Sequence, residues 1–216
     1  MVIGIYGAGG TGKAVCDYIT AAEKIRKTCD KLVFIDDVLK EKECHGLETY
    51  TFEDAKKIYK RDEIKFMIAL GDPALREKIY QKITEEGFKL STYIHPMAEV
   101  SSSAVIGDGS CIAPNSHIDS NVVIERNVMV YPQAIIGHDT LIKAHSFISI
   151  RTFIGGHSLI EEKVYYGPCA VCKDRVHVGE GAVIGPNATL FRDVPSNYIA
   201  IGNPAKSIPK SNNKIF

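Results

Sequence analysis

What this 216-residue chain has little of narrows the field first. It carries no net charge: 26 basic residues balance 26 acidic ones, which leaves no basic field to draw in nucleic acid or an anionic membrane surface. No apolar run approaches the roughly 18 residues of a membrane-spanning helix. The opening MVIGIYGAGG has no charged segment ahead of its apolar stretch, so it does not read as a secretory leader, and a cytoplasmic protein is expected. The six cysteines lack the spacing of a disulfide scaffold. Only Cys169 and Cys172 form a C-x-x-C pair, and Cys172 falls on a core position of the repeat described below, which argues against a redox or zinc role. The rest, 45% hydrophobic and 24% charged, is ordinary globular composition with room for one large domain or two modest ones.

Residues 1–93 alternate strand and helix signals. Val2–Tyr6 reads as a buried strand, followed at once by Gly7-Ala8-Gly9-Gly10-Thr11-Gly12 and a helical pattern through Val15, Ile19 and Ala22. A second apolar run, 32–35, ends in Asp36-Asp37; a third, 66–70, ends in Gly71-Asp72-Pro73; a helix over about 74–86 and a short strand near 89–92 complete the unit. Strands alternating with helices predict a Rossmann-like α/β domain with a parallel sheet, its ligands at the strands' C-terminal ends. The glycines fit G-x-G-x-x-G between strand and helix, where free N–H groups at a helix start suit a diphosphate. Asp36, 24 residues beyond Gly12, sits near the ribose-binding acid of a dinucleotide fold. A unit closing in 93 residues is short for two mononucleotide halves, however, and a single nucleotide diphosphate fits better.

From Ile94 to Leu190 every sixth residue is apolar: fifteen of the seventeen are Ile, Val or Leu, with Tyr166 and Cys172 the exceptions. The position two residues earlier, from Ala104 to Ala188, is always Ala, Ser, Thr or Val. A six-residue period is the signature of a parallel β-helix, in which each short strand forms one side of a coil. The branched residue points inward and the small one sits at a corner. Three sides make an 18-residue coil, so residues 94–191 build about five and a half coils, and residues 18 apart are expected to stack. The domains are read as 1–93, 94–193 and a tail, 194–216, that contains Gly202-Asn203-Pro204-Ala205-Lys206.

In order along the chain, Ile5 to Gly12, Phe34-Ile35-Asp36-Asp37, Ile68 to Asp72 leading to Arg76, Ile79 and Tyr80, then Ile94-His95-Pro96, Ile136-Gly137-His138-Asp139 and the 202–206 tail resemble the sugar O- and N-acetyltransferases typified by PglD and NeuD. The resemblance implies a left-handed β-helix, acetyl-CoA as co-substrate, no metal, a nucleotide-sugar substrate, and a homotrimer with active sites between subunits. The family's His–acid pair falls on His138 and Asp139. Its implied mechanism has neutral His138 take a proton from the sugar amine as the nitrogen attacks the thioester, with Asp139 fixing the imidazole tautomer. Adjacent strand residues face opposite ways, so only a turn lets Asp139 reach the imidazole. Gly156, in the pair Gly155-Gly156, lies 18 residues beyond His138, and its backbone N–H is the expected oxyanion donor. Family nucleotide contacts fall on Gly9, Gly10, Thr11, Asp36 and Asp37, with Gly71 grouped with them; an acid at a strand end could accept from a pyrimidine ring N–H. Cofactor positions fall on Phe147, where the family has a second histidine, on Pro168 and Pro186, and on Lys206 for a CoA phosphate; a family glycine falls on Arg151, and His145 or His157 could stand in for the missing histidine.

Other readings share parts of this pattern. A hydroxyl acceptor, as in sialic acid or polysaccharide O-acetylation, would use the same residues. A β-helical carbonic anhydrase would need three zinc-binding histidines, which the spacings of His138, His145 and His157 do not match. A non-catalytic nucleotide-binding scaffold would need neither His138 nor Gly156.

Overall fold

The computed structural model describes residues 1–26 and 29–210. The N-terminal elements run β1 (Val2–Tyr6), α1 (Gly10–Arg26), β2 (Lys31–Ile35), β3 (Glu43–Cys44), β4 (Leu47–Tyr50), α2 (Phe52–Ile58), β5 (Ile64–Ile68), α3 (Pro73–Glu85) and β6 (Lys89–Leu90). They build a six-stranded sheet in the order β3-β4-β2-β1-β5-β6, parallel throughout except for the β3–β4 hairpin. Strand alternation sends Ile3, Ile5, Phe34 and Met67 to the face on which α1 buries Val15, Ile19 and Ala22. It sends Tyr6, Val33, Ile35 and Phe66 to the other face, beneath Phe52 and Ala55 of α2 and Ile83 of α3.

The third strand begins two residues before its expected apolar run. The β3–β4 hairpin and α2, which had no clear apolar period, were not anticipated. The hairpin turns at His45 and Gly46, both with positive φ (53° and 75°), the primed-turn geometry for which a residue followed by glycine is the signal.

From Tyr93 the chain becomes two-residue strands, each paired in parallel with the strand 18 residues away: Ile112 with Val130, Ile118 with Ile136, Ile124 with Ile142. Three sheets result, here called the first, second and third faces for those three pairs. The inward column is buried along the coils, and Tyr166 and Cys172 take their places in it. Burial raises the Cys172 thiol above its ordinary range, so Cys172 is a core residue. Tyr198–Ile201 extends the first face beside Val183–Ile184, and Lys206–Pro209 returns antiparallel to it.

A third six-residue column emerges at the corners. From Gly109 to Asn187 every sixth residue has positive φ, including Asp139 (56°), His145 (65°), Arg151 (57°), His157 (56°) and Arg175 (63°). Each non-glycine residue in this region costs roughly 1 kcal/mol. Backbone bonds between coils hold the corners there, as from the Asp139 N–H to Ser120 O (2.9 Å) and from the His157 N–H to His138 O (2.8 Å).

The N-terminal domain lies on the first face, where Tyr93, Cys111, Met129 and Phe147 join the α1-side core. A fully buried Arg76 crosses the junction. Its Nη1 donates to Ile68 O (2.7 Å) and Leu70 O (3.3 Å), and its Nη2 donates to Asn127 O (2.5 Å) and Oδ1 (2.8 Å). Burial pushes the guanidinium down to about 10. Among the described residues no helix is long and apolar enough to cross a membrane.

Candidate active site

Ile135–Ile136 ends the second face and Leu141–Ile142 begins the third, so residues 137–140 turn the corner opposite the first face. His138 leaves the tube at this corner, half exposed. The positive φ of Asp139 swings its carboxylate back, and Oδ2 lies 2.8 Å from His138 Nδ1. The turn that the pair requires is present. Asn121, one coil earlier, donates Nδ2 to Asp139 Oδ1 at 3.1 Å. The Asp139 hydrogen bond raises the imidazole above its ordinary value, with Asp119 and Asp174 adding to the rise; the same bond, with that from Asn121, lowers the carboxyl. A proton on Nδ1 shared with the carboxylate leaves Nε2 as the acceptor.

The coil rule holds for residue 156. A Cβ added to Gly156 would lie 2.8 Å from His138 Nε2, and one added to Gly155 would lie 2.5 Å from Asp174 N. Both glycines are required by close approach, the first by the imidazole and the second by the next coil. The Gly156 N–H is not free, however: it donates to Asp174 Oδ1 at 2.9 Å. Asp174 stands 18 residues beyond Gly156, so the stacking rule that joins 138 to 156, applied once more, finds its partner. His157 completes the corner, its Nε2 3.8 Å from Asp139 Oδ2 and its ring perpendicular to that of His138 at 4.9 Å. One ligand atom each from His138, Asp139 and His157 lie within 4.8 Å of one another. The 2.8 Å contact between His138 Nδ1 and Asp139 Oδ2 is that of a hydrogen bond.

His145 stands apart. It is buried, takes a hydrogen bond from Asn127 (2.9 Å), packs on Tyr80 and is pushed down to about 4 by burial and the nearby Arg126. It belongs to the domain junction. Arg151 is an exposed corner residue bonded to Gln133.

A concavity of ≈ 520 Å³ opens between the glycine loop and the first face. Thr11, Gly71 and Asp72 line it from the N-terminal domain, and Tyr131, Phe147, Ser149 and Tyr165 from the β-helix. Phe147 thus sits with the expected nucleotide residues; it stacks on Tyr165 (5.5 Å, 6° between planes) and tilts against Tyr131 (5.0 Å). Gly9 and Gly10 have open space where a Cβ would be, whereas a Cβ on Gly12 would strike Gly7 O at 1.8 Å. The first two leave room for a ligand; the last is a packing glycine. Tyr131, Ser149 and Tyr165 were not anticipated, although Phe147 and Tyr165 are 18 apart and outward, a signal the coil period offers.

Asp36 and Asp37 are largely spent on the chain itself. Asp36 accepts from the N–H groups of Ala8 (2.9 Å), Val38 (2.9 Å) and Leu39 (3.0 Å). Burial acts to raise its carboxyl, but these bonds hold it below the usual range. Asp37 accepts from Tyr6 (2.5 Å), Lys82 (2.7 Å) and Phe52 N (2.8 Å). These bonds make both acids shape the loop after β2. Pro168 and Pro186 lie at the corner between the first and second faces, away from the His138 corner. Lys206 lines a groove of ≈ 710 Å³ near the C-terminal end with Phe191 and Arg192.

Comparison with known proteins follows this division. Residues 2–83 match the PglD N-terminal domain family and residues 88–200 the GMPPB C-terminal domain family. The chain is 30% identical over 145 residues to GDP-perosamine N-acetyltransferase of Escherichia coli O157:H7 (64% of this chain, 63% of that protein). It is 33% identical over 113 residues to UDP-N-acetylbacillosamine N-acetyltransferase of Bacillus subtilis strain 168 (51% and 50%). The chain therefore spans between half and two-thirds of the length of these curated relatives. The acetyltransferase domain of PglB from Neisseria gonorrhoeae FA1090 is 30% identical, with a TM-score of 0.89 over 96% of this chain and 99% of that one; it has also been solved in complex with acetyl coenzyme A.

Proposed function

The chain belongs to the PglD-type sugar acetyltransferase family, and from that premise we propose that it transfers the acetyl group of acetyl-CoA to the amine of a nucleotide-linked amino sugar, with His138 as general base. The observation that carries this reading is the His138–Asp139 hydrogen bond at an exposed corner, which leaves Nε2 to accept a proton. In the transfer the amine nitrogen attacks the thioester carbon as its proton passes to Nε2. The C–N bond forms, the C–S bond breaks, and the proton leaves with the CoA thiol. Asp139 steadies the imidazolium formed in between. An oxyanion stabilised by the Gly156 N–H would have to displace the Asp174 carboxylate from it, since two anions cannot share one donor cheaply.

We assign the nucleotide sugar to the cleft at Thr11 and Gly71, with Gly9 and Gly10 leaving space for phosphates. Acetyl-CoA then lies along the β-helix near Pro168 and Pro186, its phosphates toward Lys206. The cleft opens on the first face and the base stands at the corner opposite that face. A sugar held by one copy therefore meets the base of a neighbouring copy, which favours a trimer with shared sites. Ile135 and Phe153, exposed on the second face, supply apolar surface for that contact.

The test mixes purified protein and acetyl-CoA with UDP-, dTDP- and GDP-linked amino sugars or free sialic acid, and follows thiol release and product mass. An amide product from a nucleotide amino sugar, lost in His138→Ala, is the expected result. Acetylation of sialic acid alone would replace this reading with O-acetylation, and thiol release with none of these acceptors would remove it.

A further inference from the structure

His157 has no part in the pair just described, yet the coil fixes it against both members. Its backbone N–H donates to His138 O (2.8 Å), its ring edge packs on the His138 ring at 87°, and its Nε2 faces Asp139 Oδ2 at 3.8 Å. We infer that His157 is a positioning residue that draws on the Asp139 carboxylate and thereby trims the basicity Asp139 lends to His138.

The need for such a counterweight is in the surroundings. Three carboxylates act on His138: Asp139 on its own coil, Asp119 one coil earlier and Asp174 beyond Gly156. Each favours the imidazolium, and an imidazolium cannot accept the proton of an amine. His157 holds its Nε2 3.8 Å from the carboxylate oxygen that His138 uses. A second imidazole nitrogen this close to Oδ2 competes for its charge, so the oxygen supports the His138 imidazolium less than if it faced His138 alone. The positive φ of residues 139 and 157 and their backbone bonds to adjacent coils fix where each side chain leaves the main chain.

The role in turnover rests on the acetyl-transfer reading, but the electrostatic effect can be measured without substrate. NMR titration of the His138 ring in the full chain, assigned by loss of its signals in His138→Gln, is compared with that in His157→Phe. Phenylalanine keeps the edge-to-face packing and removes the nitrogen. The His138 midpoint is expected to rise by roughly 0.3–1 pH unit, and the effect to vanish when both proteins carry Asp139→Asn. His157→Ala, expected to move the midpoint the same way, serves if the Phe variant does not fold. An unchanged midpoint, or an equal shift without Asp139, overturns the inference. Where acetylation is found, the rising limb of kcat/KM with pH shifts in parallel; where none is found, the proposed function falls while the titration still decides the part played by His157.

Discussion

The two sides of the proposed site are built by different means. At the His138 corner every group comes from a short, repeating stretch of chain: Asn121, Asp139, His157 and Asp174 sit on successive coils, and one period brings them together. At the cleft, Thr11 and Gly71 meet Tyr131 and Phe147 because two domains dock, with Arg76 as the buried link. The comparison teaches where precision comes from. A period sets the spacing of its groups through backbone hydrogen bonds between coils, whereas a docked interface depends on side chains that must stay satisfied across the junction. Substitutions at the corner should therefore change turnover, and those at the junction should change affinity and stability.

The sharpest test of that division is His138→Ala, expected to lower kcat by about 10²–10⁴ while the KM for the nucleotide sugar stays near its original value; a comparable rise in KM would merge the two sides. Gly156→Ala puts a methyl group 2.8 Å from Nε2, so it should fold, turn the imidazole aside and cost roughly 10–100-fold in kcat. Asp139→Asn removes the largest influence raising His138. The base must be neutral to act, so activity rises with pH through its midpoint. That midpoint should fall in the variant, toward or below the ordinary histidine value of about 6.5, as the maximum rate also drops. Across the junction, Arg76→Met leaves the carbonyls of Ile68, Leu70 and Asn127 without their donor. Chemical denaturation should show a loss of about 2–3 kcal/mol, with a raised KM because Leu70 borders the cleft. The smallest effect is a gain: Arg175→Gly relieves a positive φ of 63° at an exposed corner and should stabilise the chain by roughly 0.5–1 kcal/mol.

The same division explains what could be read from the sequence. The inward column was visible because each core position demands an apolar residue, and the neighbourhood of 138 and 156 followed from counting. Asp174, 18 residues beyond Gly156, lies within reach of the same count. The corner column of positive φ was hidden, because backbone bonds between coils let Arg, Lys, His and Cys occupy a conformation that usually selects Gly or Asn. In the N-terminal domain the glycine loop and the strand ends were legible from local chemistry. The internal partners of Asp36 and Asp37 were not, because Lys82 and Tyr6 approach Asp37 from remote parts of the chain and only the packed sheet brings them there. The hairpin at residues 43–50 and the helix after it escaped for the opposite reason: they are short, half exposed, and have too few apolar residues to set a period.

The corner column carries a consequence for how such a molecule can change. A turn whose shape is dictated by hydrogen bonds to the coils on either side accepts almost any side chain without altering its course, so the prism's edges behave as a rack of interchangeable slots. Reactive groups can be traded, added or moved by whole coils while the tube beneath keeps its register, and new chemistry need not wait for a new architecture.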